Sequence, residues 1–268
     1  MTAGAAATTP LVHPKWHGDF WFLLQTLITK DFRVRYRNMS LGVLWSLVNP
    51  LVMMGILTVI FTKVFPNPNI KHFPVFVLCG LVPYSFFTVA WTTGTTCIVD
   101  NASLLKRLPV PQEVVPVAAV LSNSIHLMIQ IAMLLAIVIL FGSGINVNWL
   151  WLPLIWALNL VFICGLALIT SAMHVYIRDT RYLVESANTV LFWLVPIFYP
   201  VALIPQRFQH LYLLNPLAAL VSELRQILMD GSAPDGSTLL QSALVSFVTL
   251  GVGSIMFQKL KASFFERI

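Results

Sequence analysis

The sequence predicts an all-α membrane protein: six transmembrane helices, an amphipathic N-terminal helix on the inner surface, and a re-entrant helical hairpin on the outer side between spans five and six. Three observations predict it. Charged residues make up only 10% of the 268, against about 25% in soluble domains, while 58% are hydrophobic. Mean hydropathy is +0.83, more apolar surface than a soluble fold of this size can hide, because its accessible surface needs polar cover. The apolar residues are also gathered into uncharged runs, at 38–62, 72–99, 114–177, 186–206 and 236–258, each long enough for a bilayer-crossing helix of about 20 residues. The same composition excludes disordered, collagen-like and disulfide-scaffold chains.

Taken in order, residues 1–15 open with MTAGAAATTP, which lacks the basic start and apolar core of a cleaved signal, so a disordered tail is expected there. Over 16–38, Trp16, Phe20, Leu24, Ile28 and Phe32 recur every four residues with Leu23 and Leu27 beside them, while His17, Gln25, Thr29 and Arg33 lie elsewhere on the wheel. That pattern is an amphipathic helix lying in the inner leaflet. The transmembrane domain follows at 39–260, with spans expected at about 41–63, 73–98, 116–141, 149–174, 184–203 and 238–257. The long run 114–177 must be two spans, and FGSGINVN at 141–148 supplies the turn residues between them. Between spans five and six, apolar stretches at 208–214 and 217–229 are broken at Asn215 and Pro216. The longer reaches only ~20 Å at 1.5 Å per residue, too short to cross, and so reads as a re-entrant hairpin. Residues 261–268 form a short tail.

Orientation follows from the basic residues. Lys15, Lys30, Arg33, Arg35, Arg37, Lys106, Arg107, Arg178, Arg181, Lys259, Lys261 and Arg267 fall on one side; Lys63, Lys71, Arg207 and Arg225 fall on the other. The richer side is cytoplasmic by the positive-inside rule, which places both termini there. The net charge of +6 therefore describes a membrane-facing rim and no nucleic-acid partner.

Ion-driven transport or intramembrane hydrolysis needs ionisable groups at depth, yet the acidic residues lie outside the spans or at their ends. His126 is the exception, and among Ser122, Asn123, Ser124 and Gln130 it reads as a hydrogen-bonding helix contact. HExxH and GxSxG are absent, and no Lys follows a Gly, so there is no phosphate-binding GK motif. Cys79, Cys97 and Cys164 form no CxxC pair and read as small buried side chains. No catalytic or metal site and no resident cofactor is expected; any energy for uphill movement must come from another polypeptide. The cytoplasmic segment 100–116 is the place to deliver it: Asp100 or Asn101 caps a short helix, Leu104, Leu105 and Leu108 give it an apolar edge, and Pro109 and Pro111 end it stiffly. Such a knob, continuous with two spans, suits transmission of a push.

Six segments together resemble one family: DFRVRYRNMSLGVLWSLVNPLVMM, FPVFVLCGLVPYSFF, NASLLKRLPVPQEVVP, RDTRYLVES, VPIFYP and YLLNPLAALVSELRQILMDG. In order and spacing they are similar to the permease subunit of type-2 ATP-binding-cassette exporters of polysaccharides, which include O-antigen, capsule and teichoic-acid exporters. The resemblance implies a bacterial inner-membrane homodimer seated on two separate ATP-binding subunits, with ATP and Mg bound by those subunits and a lipid-linked glycan as substrate. It implies that Lys106, Arg107, Gln112 and Glu113, with Leu104 and Leu105, belong to the coupling helix. The periplasmic hairpin would be the gate, with Asn215 and Pro216 at its turn and Glu223 and Arg225 as its charged positions. For a diphosphate-anchored substrate, Lys30, Arg33, Arg35 and Arg37 are phosphate candidates, the alternative being anchorage to anionic membrane lipid. Trp45, Trp91, Phe192, Trp193, Phe198 and Tyr199 are candidates to line a sugar path, although aromatic residues also gather at bilayer interfaces. Tyr84 and VPIFYP depart from frequent family residues and leave the glycan open. The rival readings are export of a small lipid or drug by the same architecture, and a lipid-modifying transferase. The transferase needs a shared acid–base face, which His174 and Asp179, about 140° apart on a helix, do not provide.

Overall fold

The computed structural model describes residues 19–36, 44–65, 70, 72–107, 110–141 and 144–267. Helix is the regular structure of these residues, in eleven segments: α1 (Phe20–Tyr36), α2 (Trp45–Val59, continued by a wider turn over Ile60–Val64), α3 (Phe73–Asp100), α4 (Ala102–Arg107), α5 (Val114–Leu140), α6 (Leu152–Tyr176), α7 (Thr180–Leu194), α8 (Gln206–Leu213), α9 (Pro216–Leu228), α10 (Gly236–Leu260) and α11 (Phe264–Arg267). Among the described residues, five helical stretches are long and apolar enough to cross a membrane: Trp45–Val64, Phe73–Asp100, Val114–Leu140, Val147–Tyr176 and Gly236–Ser263. The break expected at 141–148 lies between two of them.

The central helix is α3, which packs against α2, α5, α6, α7 and α9. Its first half is buried nearly all round, from Phe73 to Phe87, as an apolar helix enclosed by others must be. On the side away from α2, α6 and α10 cross with their backbones in contact. A Cβ on Gly253 would lie 2.5 Å from the Gly165 carbonyl oxygen, and one on Gly165 would lie 2.6 Å from the Leu250 nitrogen. Small residues permit such approach between membrane helices, where packing replaces the hydrophobic effect.

The buried side chains form two cores. The larger joins α3, α5, α6 and α9 around Phe87, Leu127, Ile163 and Leu224. The second, at the ends of the helices that carry the basic rim, gathers Leu23, Leu24 and Leu27 of α1, Leu105 of α4, Val114 and Ala118 of α5, and Phe257 and Phe264 from the chain end.

Three elements differ from the sequence reading. The N-terminal helix spans Phe20–Tyr36, and Asp19 Oδ1 accepts from the Trp21 N–H at its start. Its covered face is Leu23, Leu24 and Leu27, against α5, while Phe20 and its neighbours Trp21 and Phe22 are exposed; Trp16 and the tail 1–15 lie outside the described residues. Span five, expected over 184–203, is helical from Thr180 only to Leu194, because Pro196 and Pro200 deny the next turn its donors. At ~22 Å for 15 residues it is short of the ~30 Å hydrocarbon core. The residues after α10 are packed against the bundle: Phe264 is completely buried, edge-on to Phe257 at 5.3 Å.

Candidate functional site

The hairpin between α7 and α10 is built from α8 and α9. Asn215 turns it, accepting the Leu217 N–H at 3.0 Å, and Pro216 opens α9 where a missing donor costs nothing. α9 is buried along both faces, with only Ser222 and Gln226 partly exposed over Pro216–Leu228. Its two charged side chains do different work. Arg225 sits 3.4 Å from the centroid of the Phe76 ring, and its guanidinium donates to the carbonyl oxygens of Phe76 (3.2 Å), Ile197 (2.7 Å) and Tyr199 (3.4 Å). Burial lowers it to about 9, which still leaves it charged at neutral pH. Ile197 and Tyr199 belong to the non-helical stretch after α7, whose carbonyls have no intrahelical partner. The fork of one arginine supplies them.

The same stretch is pressed onto α3 at Gly80, where a Cβ would lie 2.8 Å from Ile197 Cα. The Tyr199 hydroxyl lies 2.9 and 3.0 Å from the carbonyls of Trp193 and Leu194 and 2.7 Å from the Tyr212 hydroxyl. It therefore closes the end of α7 and ties it to α8. Glu223, two residues before Arg225, is 2% exposed, and its Oε1 has no hydrogen-bond partner among the described residues. It borders a cavity of about 870 Å³, shared with His72, Arg225, Asp230 and Asp235. Burial, helped by the negative charge of Asp235, pushes its carboxyl up to about 8.

A second feature runs along α3 and α7. Tyr84, Thr88 and Thr92 of α3 face Glu185, Asn188, Thr189, Phe192 and Trp193 of α7 across an open groove of about 410 Å³, with Met53 of α2 at its edge. The Tyr84 hydroxyl donates to the Asn188 carbonyl, and Asn188 Nδ2 to Thr92 Oγ1 at 3.3 Å. Phe192, Trp193, Phe198 and Tyr199 form one aromatic cluster at its outer end, with successive ring centroids 5.3 to 5.6 Å apart. Four of the six aromatic candidates are thus brought together. Trp91 instead lies in the core against Phe87 at 5.3 Å, its Nε1 without a hydrogen-bond partner among the described residues. Trp45 borders a separate cavity of about 300 Å³ with His126 and Gln130.

The hydroxyl face was missed in the sequence, although Tyr84, Thr88, Thr92 and Thr96 recur every four residues through an apolar span, the spacing of one helix face.

On the basic side, α4 forms, but the oxygens expected to cap it are engaged elsewhere, Asn101 Oδ1 by Lys30 and Asp100 Oδ2 by the Thr96 hydroxyl at 2.6 Å, while Leu108 and Pro109 lie outside the described residues. Lys106 and Arg107 are exposed, Leu104 is partly covered, and Leu105 is 2% exposed in the second core. Gln112 is buried, and Glu113 pairs with Lys261. Of the phosphate candidates, Lys30 is engaged with Asn101 and Asp31 and Arg33 is exposed. The Arg35 side chain and all of Arg37 lie outside what the structure describes.

The sequence is similar to those of known proteins. A family model described as ABC-2 type transporter matches residues 22–229. The O-antigen export system permease protein RfbA of Klebsiella pneumoniae is 30% identical over 252 residues, which cover 93% of this chain and 96% of that protein. RfbA of Myxococcus xanthus is 29% identical over 248 residues, covering 92% and 95%. The polysialic acid transport protein KpsM of Escherichia coli is 27% identical over 241 residues, covering 88% and 92%. With more than three-quarters of its length inside one family's match, the chain belongs to the ABC-2 type transporter membrane family.

Proposed function

We propose that the chain is the permease subunit of an exporter that moves a lipid-linked cell-surface polysaccharide across the bacterial inner membrane, driven by ATP hydrolysis in a separate subunit. The observation that carries this reading is the groove between α3 and α7. Hydroxyls, an amide, a carboxylate and indole and phenyl faces line it within a bundle of long apolar helices. Such groups are costly against hydrocarbon and useful beside a hydrated polyol. The relatives, O-antigen export and polysialic acid transport proteins, act on the same substrate class.

Three finer parts of the reading have physical support. α7 with the stretch 195–200 makes a sixth crossing: its irregular half is acceptable because Arg225 and Gly80 bury it in protein. α9 is the inner limb of a re-entrant hairpin, since it is too short to cross and yet enclosed by α3, α6 and α10. α2 has almost no cover within one chain, and a second permease closing the groove supplies it, with each α4 seated on an ATPase through Leu104, Lys106 and Arg107. Both termini are cytoplasmic in this arrangement, and Lys30 and Arg33 face the inner headgroups.

The test is genetic and biochemical. Deleting the gene in its host should abolish the surface glycan while undecaprenyl-linked polymer accumulates inside. Export that continues unchanged refutes the proposal.

A further inference from the structure

Two ties that docking alone does not require flank the α4 knob, joining the segments on either side of it to the chain's two ends. On one side, Lys30 Nζ of α1 donates to Asn101 Oδ1, and Asn101 Nδ2 in turn donates to the Cys97 carbonyl at 2.8 Å. The N-terminal helix is thereby joined to the last turn of α3. On the other side, Lys261, just past α10, forms an ion pair with Glu113 at the start of α5. The residues that follow are anchored as well. The Tyr176 hydroxyl donates to the Leu260 carbonyl at 2.8 Å, and the Arg267 guanidinium lies 4.7 Å over the Tyr176 ring. Phe264 enters the apolar cluster that also holds Leu105 of α4 and Leu23, Leu24 and Leu27 of α1.

We propose that the N-terminal helix and the C-terminal segment form a bracket around α4, so that a displacement of α4 is passed to α1 and α10 as well as to α3 and α5. Glu113 and Lys261 are then positioning residues for coupling and make no contact with the ATPase. The inference rests on the reading of α4 as the docking element and extends it to a role for the chain end. Its chemistry is simple: a half-exposed ion pair adds direction to a contact whose strength comes from the shared apolar cluster.

The experiment uses the whole transporter, permease with its ATPase, carrying Glu113→Lys, Lys261→Glu, the double exchange, or the isosteric Glu113→Gln. Three quantities are measured: ATPase recovered with the permease, ATP turnover of the purified complex, and surface glycan of cells dependent on each variant. Each single variant should keep its ATPase and lose roughly two- to fivefold in glycan exported per unit of ATP turnover, the factor such a pair carries. The double exchange should restore most of that loss. Single variants that couple normally, or a double exchange no better than either single, overturn the bracket. Loss of the ATPase from Glu113→Gln also overturns it, by making Glu113 a docking residue. Arg107→Glu, at the exposed end of α4, separates the two readings: if it leaves ATPase recovery and turnover unchanged, the docking reading itself fails.

Discussion

Replacing Glu223 by Gln should remove a pH dependence of stability that the native protein carries. In the folded state burial holds this carboxyl protonated up to about 8, whereas in the unfolded chain it ionises at its ordinary value of 4.5. Between those values the unfolded state binds fewer protons than the folded one, so stability falls as pH rises through the window and levels off above it. At 1.36 kcal/mol per pH unit the full window corresponds to at most about 5 kcal/mol. The adjoining 870 Å³ cavity admits water, which reduces the expected loss to roughly 2–3 kcal/mol. Gln keeps the shape and the neutral state, leaving nothing to ionise. The assay is thermal unfolding in detergent, followed by tryptophan fluorescence, in steps from about pH 5 to about pH 9. The two proteins should unfold at similar temperatures at the acid end and diverge as pH rises, the variant becoming the more stable. Parallel curves across the range would refute the assignment of Glu223 as a buried acid that keeps its proton.

Arg225→Ala should be among the most damaging single changes, since it strips the donors from the Phe76, Ile197 and Tyr199 carbonyls; a loss of about 3 kcal/mol or more is expected, read as a fall in monodisperse yield. Arg225→Lys should recover only part of it, because one ammonium cannot reach all three. Gly253→Ala should cost about 1–3 kcal/mol by forcing α6 and α10 apart, while Gly251→Ala, with open space around its Cβ position, should be neutral or mildly stabilising in the same melting assay. Trp193→Ala removes a 63% exposed ring from the groove and should lower export roughly two- to tenfold with an unchanged melting temperature; equal losses in both would make it a folding residue.

The all-helical class, the break between α5 and α6 and the α4 helix were legible because each rests on local signals: unbroken apolar length, a Gly, Ser and Asn cluster, and a short leucine-edged run between two spans. Span five was less so. Its apolar run continues past Leu194, yet Pro196 and Pro200 stop the helix, and what rescues the exposed carbonyls is an arginine 28 residues further on. No window along the chain joins Ile197 to Arg225. Arg225 reads in the sequence as a charged position of the hairpin, and nothing local to it shows that it faces inward. Glu113, which the family resemblance assigns to the coupling helix, pairs with Lys261 148 positions away, a contact that no local window reveals. The aromatic candidates divided according to three-dimensional neighbours, Trp193 facing the groove and Trp91 the core, a distinction that residue type alone does not carry.

Where α6 and α10 touch at Gly165 and Gly253, no layer of side chains intervenes that could be reshuffled. That pair behaves as a keel: it can tilt as a unit, but neither helix can slide or roll against the other without backbone collision. Any rearrangement of the helices then falls to the α2 and α7 flank, where the seams are looser and helix α7 gives way to irregular backbone after Leu194.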